Sequence, residues 1–416
     1  MKTEMPRQSA RQALGKTFGA LIRHPNYRLY WFGALTSNIG TWIQMVAQGW
    51  LVYQLTGSAL DLGIVGFATA LPILFLSLFG GVLADRFERR RLMVYTQTGS
   101  MLLAFLLSYL TLAGHVTVPQ IVVIAFLNGI VNSLNAPVRQ SIISDLVDRE
   151  DLMNAIALNS AQFQMSRFFG PALAGAIVAA VGSGWCFFIN GVSFLAVIAA
   201  LLAMQVPPLP AGRRNKSVWK NLTEGIRYVR AEPTLVALLG LAIVPALFAM
   251  PFQQLMPVFA QSVLNVGAQG LGLLMSASGL GALIGALGVA SLGKNAPRGK
   301  LMLAAVTLFG TCLVIFALSR TFWLSLVVLV GVGIASMSYN ALNQTFIQTL
   351  AADEMRGRVM SLLTLTTFGI QPFGSLQAGA VAQQYGANVS VFIGGLICAC
   401  FAVWLYAARP RIRELA

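Results

Sequence analysis

Phe169-Gly170-Pro171-Ala172-Leu173-Ala174-Gly175-Ala176 and Phe373-Gly374-Ser375-Leu376-Gln377-Ala378-Gly379-Ala380 are one phrase written twice, with five of eight positions identical. The same offset of 204 residues sets Gln140 over Gln344, Leu146 over Leu350 and Glu150 over Glu354. Coincidences that share one offset mark an internal repeat rather than chance likeness between apolar stretches. The surroundings of the phrase give the nature of the repeating unit. The chain carries no charge from Phe168 to Gly212 around the first copy, nor from Val359 to Ala408 around the second.

Further uncharged runs extend over Leu29 to Leu60, Leu62 to Ala84, Leu92 to Val138, Pro233 to Gly293, Leu301 to Ser319 and Thr321 to Ala352. Each is one or two times the ~20 residues that cross hydrocarbon. The 416 residues are 57% hydrophobic and 10% charged, with a mean hydropathy of +0.74, which excludes a soluble enzyme. The runs are solid rather than alternating, which excludes a β-barrel. Turn signals at Gly114-His115-Val116, Gly182-Ser183-Gly184, Gly267-Ala268-Gln269-Gly270 and Tyr385-Gly386-Ala387-Asn388 cut the longest runs. Twelve transmembrane helices follow, near 27–54, 59–84, 91–113, 118–143, 153–181, 185–204, 233–261, 270–292, 300–318, 322–346, 357–384 and 388–408. The expected fold is an all-α integral membrane protein of two parallel six-helix repeats. Residues 27–206 and 233–408 form the bundles, 207–232 a cytoplasmic linker, and 1–26 and 409–416 the cytoplasmic ends.

A net charge of +15 raises the question of nucleic acid, and the positions of the cations answer it. Lys2 to Arg28, Arg86 to Arg91, Arg149, Arg213 to Arg230, Lys294 to Lys300, Arg356, Arg358 and Arg409 to Arg413 fall on one side of the predicted membrane. The other side holds His115 and Arg320, with Asp61 where the first loop enters the second helix. The positive-inside rule makes the basic side cytoplasmic and puts both termini there. The basic charge is then topology and attraction to anionic lipid heads, with no nucleic acid required. No cleaved leader is expected, since the first hydrophobic run is far longer than a signal-peptide core. Cys186, Cys312, Cys398 and Cys400 all fall in apolar helices and read as packing residues.

After the second helix comes Gly81-Val82-Leu83-Ala84-Asp85-Arg86-Phe87-Glu88-Arg89-Arg90-Arg91. It resembles the signature of the major facilitator superfamily, departing at Glu88, where that family has Gly. Gly170-Pro171-Ala172-Leu173-Ala174-Gly175 is similar to the family's antiporter motif, with Ala174 in place of a Gly. The phrases His24-Pro25-Asn26-Tyr27-Arg28, Asn135-Ala136-Pro137-Val138-Arg139-Gln140 and Arg356-Gly357-Arg358 resemble the branch of bacterial enterobactin exporters and macrolide-type efflux pumps. The resemblance covers essentially the whole chain. It implies a monomeric secondary exporter in a bacterial inner membrane, without a cofactor, coupled to protons and working by alternating access. It also implies a gating set of Gly81, Asp85, Arg86, Arg89, Gly170 and Pro171, in which Asp85 latches the cytoplasmic side near the start of helix 11. The cations alone would serve as a topological anchor, which is the other reading of that turn. Gly293 to Lys300, the matching turn of the second half, has no acid, so the gate should be asymmetric.

Polar side chains inside the predicted spans are the candidates for a transport path. Asn128, Asn132, Asn135 and Arg139 lie within about 60° on helix 4, helix 1 offers Asn38, Thr41, Gln44 and Gln48, and helix 10 offers Asn340, Asn343 and Gln344. Cavity lining and interhelical hydrogen bonding are both open for each residue. Trp42, Met45, Trp50, Phe126, Phe248, Met250, Phe252 and Met256 nearby suit an amphipathic substrate, though such residues also face lipid. Pro245, Pro251 and Pro257 predict a bent seventh helix, for gating or simply for packing. Arg167 is the deepest charge, fit either to bind an anion or to brace a helix contact. None of the thirteen carboxylates occupies mid-span, which leaves Asp61 as the candidate for proton coupling and its capping of a helix as the alternative.

Catalytic chemistry is not expected. Gly288 to Asn295 nearly matches a phosphate loop but lacks its Ser or Thr and has no preceding strand. His24 and His115 stand apart from any acid or cysteine cluster, so no metal is expected. The runner-up function is a lipid or lysolipid flippase of the same fold.

Overall fold

The computed structural model describes residues 17–86, 88–204, 218–293 and 296–415, with the side chains of 77–86 and 218–222 outside the described set. Twelve long helices account for most of it: α1 Pro25–Thr56, α2 Ala59–Arg86, α3 Arg89–Leu112, α4 Val118–Leu146, α5 Leu152–Val181, α6 Ser183–Ala203, α7 Pro233–Val263, α8 Gly267–Ala290, α9 Arg298–Leu318, α10 Phe322–Leu350, α11 Asp353–Tyr385 and α12 Ala387–Ala408. Eleven of them are long and apolar enough to cross a membrane. The other, α1, is long enough at 32 residues but carries Asn38, Thr41, Gln44 and Gln48. All four turn signals coincide with helix breaks, and Gly114, Gly182, Gly267 and Gly386 take positive φ there, a region open to Gly at no steric cost.

Local chemistry sets the ends. Pro25 and Pro233 occupy first turns, where a missing N–H costs nothing. Thr117 and Gln120 form a reciprocal capping box on α4, the Thr117 amide donating to Gln120 Oε1 at 2.9 Å. Helix α7 is interrupted where Pro245, Pro251 and Pro257 predict a bend. It is broken by π-helical turns at Pro245–Ala249 and Phe259–Val263, because Pro251 and Pro257 cannot donate to the α-helical ladder.

The most extensive packing pairs fall into two groups. Helices α1 with α5 and α6, α3 with α4 and α6, and α2 with α4 make the first; α8 with α10, and α9 with α10 and α12, belong to the second. Two further pairs join the groups, α2 with α11 and α5 with α8. Both are built on small residues. A methyl group on Gly175 would meet Ala268 O at 2.6 Å, and one on Gly66 would meet Ser375 Cβ at 3.0 Å.

These seams close only at the end away from the cations. On α11, Ser375 and Gly379 face α2. Ser361 lies about five turns from Gly379 on the same face, and Thr364 is about 20° from the line of Ser375; both are exposed. On α5, Gly175 and Pro171 face α8, whereas Ala157 and Met153, each the same five turns away, are exposed. Both helix pairs therefore splay toward the basic end. Asn132, Gln140, Ser160 and Thr345 are exposed along the same half, polar side chains at a depth where hydrocarbon would reject them.

Two short elements brace the basic end from outside. Helix Gly19–Arg23 docks on the start of α5, where Asp151 takes Arg23 at 2.8 Å and His24 at 2.9 Å. The amphipathic helix Val218–Ala231 lies on α11, with Glu224 paired to Arg358 at 2.8 Å and Tyr228 Oη accepting from the Ala352 amide.

Candidate functional site

Beside the α5–α8 seam a crevice of about 10 Å³, room for one water, is lined by Trp42 of α1, Arg167 of α5, Phe252, Gln253 and Met256 of α7, and Met275 and Ser278 of α8. Helix geometry explains how Arg167 gets there. The Gln162 and Ser166 face of α5 packs on α1, with Trp31 Nε1 donating to Leu158 O at 3.1 Å and Tyr27 Oη to Ala155 O at 2.8 Å. On another face, Ser276 Oγ of α8 donates to Phe168 O at 2.7 Å, and Gly279 lets α8 pass against Arg167 O. Arg167 leaves the helix between these two contacts, about 100° from Ser166. Its guanidinium has no hydrogen bond or ion pair among the described residues.

The other polar candidates divide by their partners. Arg139 Nη1 reaches from α4 to Asn38 Oδ1 of α1 at 3.1 Å. Asn135 accepts from Thr96 Oγ1 and Asn128 from Ser100 Oγ, both at 3.3 Å, so these two turn toward α3. Asn132 and Thr41 are exposed, and Gln48 is partly so. Gln44 is buried, its Oε1 accepting from Asn190 Nδ2 of α6 at 2.7 Å. Asn343 is buried and donates to Leu238 O of α7 at 3.2 Å, while Asn340 donates within its own helix to Ser336 O. Gln44 and Asn343 thus hold helices together and do not reach the pocket.

Among the gating candidates, Gly81, Asp85 and Arg86 lie outside the residues whose side chains are described. Arg89 binds Asp145 through both carboxylate oxygens, at 2.9 and 2.8 Å, and ties α3 to α4. Gly170 sits beneath Trp42, and Pro171 O abuts Gly272 across the α5–α8 seam. Asp61 is the third residue of α2, with Ser58 Oγ accepting from its amide at 3.1 Å. It stands at the helix start, outside the pocket lining.

Sequence reading passed over Met275 and Ser278 of the crevice lining and two glutamines. Gln253 brings an amide into the pocket; its signal was a Gln-Gln pair between Pro251 and Pro257 in an otherwise apolar helix. Gln383 of α11 accepts from the Ala59 amide at 2.9 Å and the Leu60 amide at 3.4 Å, capping α2 across the seam. A lone glutamine at the end of an apolar helix gives no hint of that.

The profile of the transmembrane secretion effector family, of the major facilitator type, matches residues 17–415. The chain belongs to that family. Like its other members it is a membrane transporter rather than an enzyme. The staphyloferrin A transporter of Staphylococcus aureus (strain NCTC 8325 / PS 47) is 26% identical over 90% of this chain and 94% of its own length. The multidrug efflux pump Tap of Mycolicibacterium fortuitum is 28% identical over 92% and 95% respectively. A crystal structure of a POT family transporter with 5-aminolevulinic acid superposes with a TM-score of 0.77, covering 94% of this chain and 97% of that one at 13% identity, a likeness of fold.

Proposed function

We propose that this major facilitator protein exports small amphipathic molecules, of siderophore or drug-like character, from the bacterial cytoplasm by alternating access. The observation that carries the reading is the parting of two helix groups toward the basic end, with the narrow crevice of Trp42, Arg167, Phe252, Gln253, Met256, Met275 and Ser278 where they close. An apolar wall with few polar groups suits an amphipathic guest. On this reading the basic end is cytoplasmic, residues 27–206 and 233–408 are the rocking bundles, and the state described is inward-open. The relatives named for staphyloferrin A and for multidrug efflux support the substrate class.

The turn that holds Asp85 is proposed as the cytoplasmic latch, closing when the splayed ends of α2 and α11 meet. Protons are the coupling ion the family implies, and Asp61 is the carboxylate nearest the outer face.

The test is efflux from cells lacking their own pumps and expressing the protein, loaded with ethidium, a naphthalene sulfonate or a hydroxycarboxylate siderophore. Export of at least one compound should exceed the empty-vector control and fall in Trp42→Ala and Met256→Ala at equal expression. Export that is indifferent to both substitutions would remove the pocket from the path.

A further inference from the structure

We infer that a groove between α9 and α12 binds one anionic phospholipid, with the phosphate at the basic end and one acyl chain along the groove. The site lies outside the transport path proposed above and does not depend on it.

The groove has a volume of about 410 Å³ and is lined by Lys300, Ala304, Thr307, Leu308 and Thr311 of α9 and by Val403 and Tyr406 of α12. The five residues of α9 fall at i, i+4, i+7, i+8 and i+11, within about 100° of one another. They form one stripe. It rises about 16 Å from Lys300 to Thr311, close to the depth of one leaflet in a hydrocarbon core ~30 Å thick. Its single charge stands at the basic end, where Lys300 is the third residue of α9 and exposed.

Packing explains why the groove is there. Where α9 and α12 cross, a methyl group on Gly395 would lie 2.7 Å from Gly310 O, and one on Gly310 would lie 2.6 Å from Ala399 N. On the basic side of that contact Ala304 offers only a methyl group to the groove, and Leu308, Val403 and Tyr406 stay exposed beside it. Neither helix belongs to the pairs that join the two helix groups, which are α2 with α11 and α5 with α8. The groove therefore faces lipid rather than the space between the groups.

The charge at its mouth selects among lipids. Arg413 Cζ stands 5.6 Å from the centre of the Tyr406 ring. The Gly299 amide donates to Leu415 O at 2.9 Å, which folds the C-terminal residues back onto the first turn of α9, next to Lys300. Two cations thus flank the mouth, and neither makes an ion pair among the described residues. A phosphodiester of net negative charge meets both, while its acyl chain meets Ala304, Leu308 and Val403. A zwitterionic lipid fills the groove equally well but brings a cation of its own to the mouth. A cation near the membrane surface favours an anionic headgroup about fivefold at low salt, so the pair gives roughly 25-fold.

The experiment uses the full-length protein in phosphatidylcholine nanodiscs at low salt. Trace phosphatidylglycerol or trace phosphatidylcholine, each with a diazirine at the middle of one acyl chain, is irradiated and the labelled residues are located by mass spectrometry. Label on Ala304 to Thr311 and on Val403 should favour phosphatidylglycerol roughly 25-fold. Lys300→Gln with Arg413→Gln should bring that ratio close to one without lowering label from phosphatidylcholine. Ala304→Phe should cut label on the stripe several-fold from both lipids and leave label on the other lipid-facing helices unchanged. Lys300 and Ala304 are exposed, so their substitution spares the core, and the wild-type ratio is decisive by itself. Equal labelling by the two lipids in wild type, or a ratio that survives the double substitution, overturns the inference. So does label on the stripe that ignores Ala304→Phe. Displacement of the label by ethidium or a naphthalene sulfonate would give the groove to a transported compound and overturn it too.

Discussion

Gly63 of α2 and Gly379 of α11 meet backbone to backbone, so close that a methyl group on Gly63 would lie 3.1 Å from Gly379 Cα and one on Gly379 2.9 Å from Gly63 Cα. Such an approach is possible only without side chains, and it lies on the seam that closes the end opposite the cations.

Gly63→Leu should therefore wedge this seam open. The overpacking costs about 1–3 kcal/mol in the state described here and nothing in a state where α2 and α11 have parted. Transport should stop. A cysteine placed at the exposed Thr364 should lose reactivity several-fold toward an impermeant maleimide added from the basic side. Undiminished labelling would mean that the two ends do not open in turn.

Gln383→Ala removes the acceptor that Ala59 and Leu60 use across the seam. Loss of a helix cap costs about 1 kcal/mol, enough to shift the ratio of facing states roughly fivefold. The shift should be visible at the other seam, where a cysteine at buried Ala268 should become reactive from the far side. A response confined to α2 and α11 would show that the seams act separately.

Asn190→Ala strands the buried Oε1 of Gln44, for a loss of about 1–3 kcal/mol and a lowered Tm. Replacing both residues with Leu should recover part of that loss. Substrate affinity should hold in every variant that folds, since neither side chain reaches the pocket. Weakened binding at an unchanged Tm would return Gln44 to the transport path.

Asp145→Asn exchanges a doubly hydrogen-bonded ion pair for a neutral contact, with a loss of about 1.5–3 kcal/mol. Thermal unfolding should register it, and Arg89→Lys should fall between the variant and wild type, because both bonds come from the one nitrogen Nη1 and an ammonium keeps the charge on a shorter, differently shaped side chain. Equal stability of wild type and Asp145→Asn would make the pair ornamental.

The fold was legible because hydrocarbon leaves few options. Uncharged runs of bilayer length, and glycines at Gly114, Gly182, Gly267 and Gly386, located the twelve long helices to within a few residues, while the amphipathic helix Val218–Ala231 was read only as polar linker. The site was legible only in part. Asn128, Asn132 and Asn135 share a face of α4 at 100° per residue, yet the first and third bond to α3 while the second stays open, a division set by where Ser100 and Thr96 lie. Arg167 could be read either as an anion site or as a brace; the Gln162 and Ser166 face beside it packs on α1, which leaves Arg167 at the crevice. Helical angle names a face, and only the neighbours say what that face meets. Gln383 shows the limit most plainly, since its role exists only where α2 begins.

The break in α7 bears on rate rather than on shape. Leu247 O has no N–H to accept from at Pro251, and Gly374 of α11 covers it so closely that a methyl there would lie 2.7 Å from the oxygen. Phe248 O is covered in turn by Gly394 of α12. Bending α7 at this point breaks no α-helical bond to Leu247, because proline has already removed it. The barrier between facing states is then set by unzipping glycine seams, not by melting backbone, and α7 enters each cycle as a joint already cut.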